Sequence, residues 1–73
     1  MSPEEVQVLT EEALVLTPGK AAKVTLVLEE KPGEWVILVV ESGEELAIRV
    51  DENTHESRQA VRRALISEIR SLF

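Results

Sequence analysis

The sequence predicts an α+β fold: an antiparallel β-meander of about four strands with one C-terminal helix packed on one face. Three observations predict it. Turn signals at 17–20, 31–34 and 42–43 cut residues 13–51 into short runs. Those runs alternate between apolar and polar or are wholly apolar, as strands do. Residues 54–72 then switch to a helical period.

The turns justify the meander. Thr17-Pro18-Gly19-Lys20 and Lys31-Pro32-Gly33-Glu34 each set Pro before Gly. Proline presets φ and glycine accepts a positive one, so both read as tight reversals. Ser42-Gly43 is a shorter hairpin turn. Connections this short make neighbouring strands antiparallel.

Taken in order, residues 1–12 admit two readings. Ser2-Pro3-Glu4-Glu5 is a helix start, and Val6, Leu9 and Ala13 fit one helical face. Val6-Gln7-Val8 instead alternates, and β-branched residues favour strands. The extended reading is adopted, leading into a strand over Ala13–Thr17. Ala22–Glu30 is a second strand, with Val24, Leu26 and Leu28 on one side and Lys23, Thr25, Val27 and Glu29 on the other. Glu34–Glu41 holds the apolar run Trp35–Val40 and is expected to be central, because both its faces are apolar. Glu45–Asp51 alternates again. Asn53-Thr54-His55-Glu56 has the spacing of a capping box, and Val61, Leu65, Ile69 and Leu72 form a helical stripe from about His55 to Leu72.

Composition bounds the function. The 73 residues form one domain. A compact chain of this length has a radius of gyration of roughly 11 Å, small for a catalytic cleft. The net charge is −6, which opposes nucleic acid, and only Trp35 and Phe73 are aromatic, too few for a stacking platform. Cysteine is absent, which removes disulfides, thiolate chemistry and cysteine-bound metals. The longest apolar run is far below the ~20 residues of a membrane helix. The acidic opening segment lacks the basic and apolar regions of a targeting signal, so a soluble chain is expected.

Candidate chemistry is sparse. His55 is the only histidine and stands near Asp51, Glu52, Glu56 and Ser57. Three triad residues in one loop cannot surround a substrate, and one imidazole with scattered acids makes a poor zinc site. The adjacent carboxylate pairs read as solubilising charges at strand ends. No enzymatic activity, cofactor or metal is therefore expected.

The helix arginines carry more information. Residues 1–52 hold 4 basic and 12 acidic side chains, and residues 53–73 hold 4 basic and 2 acidic ones. On a helical wheel Arg63 and Arg70 lie within about 20° of each other on the solvent side. Arg58 and Arg62 flank the apolar stripe, where their stems can lie along the core. Ile66 and Phe73 sit beyond Ile69, either broadening the stripe or forming a second apolar patch. Arg62, Arg63, Ile66, Arg70 and Phe73 are the candidate protein-contact residues.

The central strand poses a packing problem. One helix covers one face, leaving either Val27, Val36, Leu38 and Val40 or Trp35, Ile37 and Val39 to be buried by something else. Residues 2–12, a curl of the sheet on itself, or a second copy of the chain are the candidates. The monomer is favoured over the homodimer, because an intramolecular cover costs no association entropy.

The whole chain resembles computationally designed, idealised α+β mini-proteins, and no natural family is matched. The resemblance rests on the Met-Ser-Pro-Glu-Glu opening, the Lys-Pro-Gly-Glu and Ser-Gly-Glu-Glu turns, glycine confined to turns, and the absence of Cys and Tyr. It implies a stand-alone folded scaffold. The alternative is a small acidic protein-binding module that uses the C-terminal helix or a sheet edge.

Overall fold

In the computed structural model all 73 residues are described, in the order α1 (Pro3–Val15), β1 (Lys23–Lys31), β2 (Glu34–Glu41), β3 (Glu44–Asp51), a short 3-10 turn (Glu52–Thr54) and α2 (Arg58–Leu72). The strands form one antiparallel sheet in the order β1-β2-β3. The α+β class, the meander and the C-terminal helix are as expected. The sheet has three strands rather than four, and a second helix takes the place of the first strand.

The N-terminal segment is the main correction. Its helix start is complete: Ser2 Oγ accepts from the Glu5 amide at 3.2 Å, and the Glu5 carboxylate accepts from the Ser2 amide at 3.0 Å. Pro3 occupies the first turn without wasting a donor. This capping box nucleates a helix that carries Val6 and Val8 with it. The fully buried Thr10 resolves its hydroxyl by donating to the Val6 carbonyl at 2.7 Å. The predicted strand over Ala13–Thr17 is the last turn of this helix and its exit. There the Thr17 hydroxyl donates to the Leu14 carbonyl and accepts from the Gly19 amide.

Gly19 is needed for close approach rather than for a positive φ. A Cβ there would stand 2.9 Å from Leu14 Cδ2 and 3.2 Å from Ile69 Cγ2, where the chain passes between the two helices. The Pro18-Gly19 turn therefore joins helix to strand and reverses no hairpin. The other two turns are hairpins. Gly33 has φ 81°, and Ser42 and Gly43 have φ 53° and 79°, the paired positive values of a type I′ turn.

Strand β1 does not alternate throughout. Val24 pairs with Val39 and Leu26 with Leu38, so Thr25 is an extra residue opposite a single step of β2. This bulge inverts the side-chain parity. Val24 and Val27 consequently share the helix-facing side, where both are half-buried against the core. Leu26 and Leu28 turn outward, 44% and 46% exposed.

Both helices lie on the same face. A single cluster joins Val6, Leu9, Ala13 and Leu14 of α1 to Val61, Leu65 and Ile69 of α2 over Trp35, Ile37, Val39, Ile48 and Val50 of the sheet. Residues 2–12 therefore do not cover the second sheet face. They compete for the first, because the helix buries Val6, Leu9 and Ala13 on one side. Helix α2 starts later than expected. Ser57 caps it by accepting from the Ala60 amide at 3.1 Å, and the Asn53/Glu56 capping box does not form. Asp51 instead caps the short turn, accepting from the Asn53 amide. No helix is long and apolar enough to cross a membrane.

Candidate functional site

Three surfaces hold the side chains with chemical or binding capacity. The first is the corner where β3 runs into α2. Glu52 is its hub, with Oε2 2.9 Å from the Met1 ammonium and Oε1 accepting from Trp35 Nε1 at 3.2 Å. The Glu52 hydrogen bond raises the pKa of the amine above its ordinary 8.0, against an opposing desolvation cost. Glu5 lies lower than its ordinary 4.5, because the Ser2 amide donates to the carboxylate and Arg58 adds a positive charge at 3.6 Å. His55 is half-buried beside this corner and lines an open depression of about 300 Å³ with Met1, Glu52 and Arg58. No three His, Asp or Glu side chains converge to hold a metal ion. Asp51 and Ser57, the other members of the loop constellation, each have a side-chain oxygen engaged as a cap, Asp51 Oδ1 of the 3-10 turn and Ser57 Oγ of α2.

The second surface is the outer side of α2. The structure divides the five candidate contact residues. Arg62 turns towards α1, its Nε 3.6 Å from Glu12 Oε1, within ionic range but beyond a hydrogen bond. Arg58 makes the equivalent reach to Glu5. Both pair with the other helix. Ile66 and Phe73 are half-buried against the main core, which is the broad-stripe arrangement. Arg63 and Arg70 remain exposed and without an ion pair. With Ile66, Ser67 and Ser71 they line an open depression of about 450 Å³.

The third surface is the outer face of the sheet, which sequence reasoning placed only in part. The register puts three rows on it: Lys23, Val40 and Glu45; Leu26, Leu38 and Ala47; Leu28, Val36 and Arg49. Arg49 reaches across β2 to Glu30 at 2.8 Å. This strap passes the Val36 row, and Val36 is only 6% exposed. Leu26, Leu28, Leu38, Val40 and Ala47 have no such cover. Of these rows, Val36, Leu38 and Val40 were legible from the double-sided β2. The outward turn of Leu26 and Leu28 depends on the Thr25 bulge, for which the sequence offers no turn residue as a signal.

No family model, curated protein or solved structure matches this chain.

Proposed function

We propose that the protein is a non-catalytic, stand-alone folded scaffold of the idealised α+β kind, acting through its surfaces. The observation that carries this reading is how its chemically able side chains are spent. Asp51 and Ser57 serve as caps, Glu52 braces Met1 and Trp35, and the Thr10 and Thr17 hydroxyls bond backbone carbonyls. Each has a structural partner, and none is held apart with a base or nucleophile beside it. The test is a melting series. Ser57→Ala is expected to cost about 1 kcal/mol as the loss of a cap, while Zn²⁺ or Mg²⁺ at about 1 mM leaves the midpoint unmoved. A metal-dependent rise in midpoint that disappears in His55→Ala would overturn the reading.

A second reading is favoured by the unpaired Arg63 and Arg70. In a chain of net charge −6, every other helix arginine has a carboxylate in ionic range. These two flank the half-buried Ile66 and present paired donors suited to carboxylates. The partner proposed here is a glutamate-rich segment of another protein. Titration with a polyglutamate peptide is expected to shift the amide resonances of residues 63–71, and Arg63→Glu with Arg70→Glu abolishes the shift. Unchanged spectra at millimolar peptide would sink it.

A further inference from the structure

We infer that the outer face of the sheet takes a second copy of this chain, stacked face to face about a two-fold axis that runs along β2. The inference stands apart from the Arg63–Arg70 contact, which lies on the other side of the molecule.

The face is open to an occupant. Three strands about 4.8 Å apart, each about eight residues long at about 3.3 Å per residue, give a whole face of roughly 380 Å², whose apolar part is Leu26, Leu28, Leu38 and Val40, bordered by Lys23, Glu45 and Arg49. An open apolar cluster of this kind lies within the range soluble monomers carry and is often functional. The edges of the sheet are poorer routes to association. β1 carries register shifts at Thr25 and before Lys31, and β3 presents Glu44, Glu45, Arg49 and Asp51. Bulges and charges on edge strands discourage strand-to-strand pairing.

The pattern on the face is self-complementary under one alignment. A two-fold along β2 leaves each row in place and exchanges β1 with β3. Lys23 of one copy then meets Glu45 of the other, twice per dimer. Neither residue has an ion pair within its own chain. Leu26 meets Ala47, so a long side chain faces a short one on both flanks. Leu28 meets the stem of Arg49, whose head is already held by Glu30. Leu38 and Val40 meet their own mates on the axis, while Val36 stays beneath the Arg49–Glu30 strap. The perpendicular in-plane axis instead sets Leu26 on Leu26 and Ala47 on Ala47, a crowded flank beside an empty one. Aligned stacking of two such sheets is ordinary β-sandwich packing.

The size places the contact in the small, transient class. Two such patches bury well below the roughly 1,200 Å² of standard interfaces, so the dimer is a weak, concentration-dependent one. The excess negative charge of two copies opposes it, screened beyond about 8–10 Å at ordinary salt.

Sedimentation velocity across about 10 μM to 1 mM, a range of weak affinities, reads the equilibrium. The full chain is expected to pass from monomer to dimer over that range. Lys23→Glu and Glu45→Lys alone each place like charges in contact and raise the half-dimer concentration at least tenfold. The double exchange K23E/E45K restores it. The perpendicular alignment predicts the opposite, because the lysine that E45K introduces would then face Arg49. Leu38→Glu removes the dimer while circular dichroism reports an intact fold, whereas an edge-paired dimer would survive it. A monomer throughout the range, a dimer that survives Leu38→Glu, or a double exchange that rescues nothing overturns the inference.

Discussion

The two faces of β2 carry nearly the same chemistry and have different fates. Trp35, Ile37 and Val39 point one way and are at most 2% exposed. Val36, Leu38 and Val40 point the other way, beneath no helix: Leu38 and Val40 are half-buried, and only Val36, at the Arg49–Glu30 pair, is buried. Hydrophobicity along the strand therefore does not decide which face becomes the core. The cover decides it. Helices α1 and α2 pack against each other as well as against the sheet, so both settle on one side and bury their own stripes together. A lone helix on each face would have left each stripe half wet. The lesson is that a second helix is drawn to the first rather than to the vacant face.

The largest expected effect separates these faces directly. Ile37 is fully buried among the helices, and Leu26 is 44% exposed on the outer side. Ile37→Ala removes three carbons from a packed core and is expected to cost about 2–5 kcal/mol, against under about 1 kcal/mol for Leu26→Ala. Urea midpoints at low micromolar protein, with the slope checked for constancy, measure the difference. Equal losses would mean that the outer face is as tightly packed as the inner one.

Adding volume sharpens the contrast from the other direction. Gly19→Ala pushes a methyl against Leu14 and Ile69 inside the helix layer and is expected to destabilise by about 1–3 kcal/mol. Ala47→Val enlarges an exposed residue of the outer face and is expected to stay within about 0.5 kcal/mol at concentrations below dimer formation. A tolerated Gly19→Ala would show that the passage between the helices gives way.

The same contrast explains what could be read in advance. Helix α2 was legible because Val61, Leu65 and Ile69 recur at helical spacing and all three are buried. The two hairpins were legible because Pro32-Gly33 and Ser42-Gly43 are turn chemistry before they are structure. Helix α1 was not, although its start at Ser2-Pro3-Glu4-Glu5 was visible. Val6 and Val8 suggested a strand, and apolar Val8, Val15 and Leu16 remain exposed, so the stripe is blurred. The parity of β1 was lost at Thr25 because a bulge is set by pairing and twist rather than by a local residue signal. Of the candidate contacts, the exposure of Arg63 and Arg70 followed from the helical wheel. The turn of Arg62 towards Glu12 did not, because it required the neighbouring helix.

The start of α1 offers the next test in size. Ser2→Ala removes the oxygen that accepts from the Glu5 amide, and with it half of the capping box. The expected loss is about 1 kcal/mol, in the range of Ser57→Ala at α2. Amide exchange should rise first in residues 3–6 and leave β3 unchanged. If exchange rises equally across the sheet, α1 is not a separable layer but part of one cooperative unit.

The smallest effect is a dependence on pH, and its sign follows from the two displaced groups of the helix layer. Glu5 has a folded pKa below its ordinary 4.5, chiefly through the Ser2 amide. A depressed carboxyl stabilises the fold above its unfolded value, and that contribution fades as pH falls below 4.5 through the lower folded value. The Met1 amine is displaced the other way, above 8.0, chiefly by the Glu52 hydrogen bond. Its contribution is complete below 8.0 and fades as pH rises through the higher folded value. Both contributions are therefore complete between these limits, and one of them is lost on either side. Each comes from a single group near the surface, so each is shallow. Urea midpoints taken across the acid limb should fall less steeply in Glu5→Gln, which has no proton to gain, than in the parent chain. The alkaline limb should flatten in Glu52→Gln. Lys23 lies on the outer face and pairs with neither displaced group, so Lys23→Glu, measured as monomer, should leave both limbs where they are. An acid limb that moves with Lys23→Glu and not with Glu5→Gln would transfer the pH response from the helix layer to the open face.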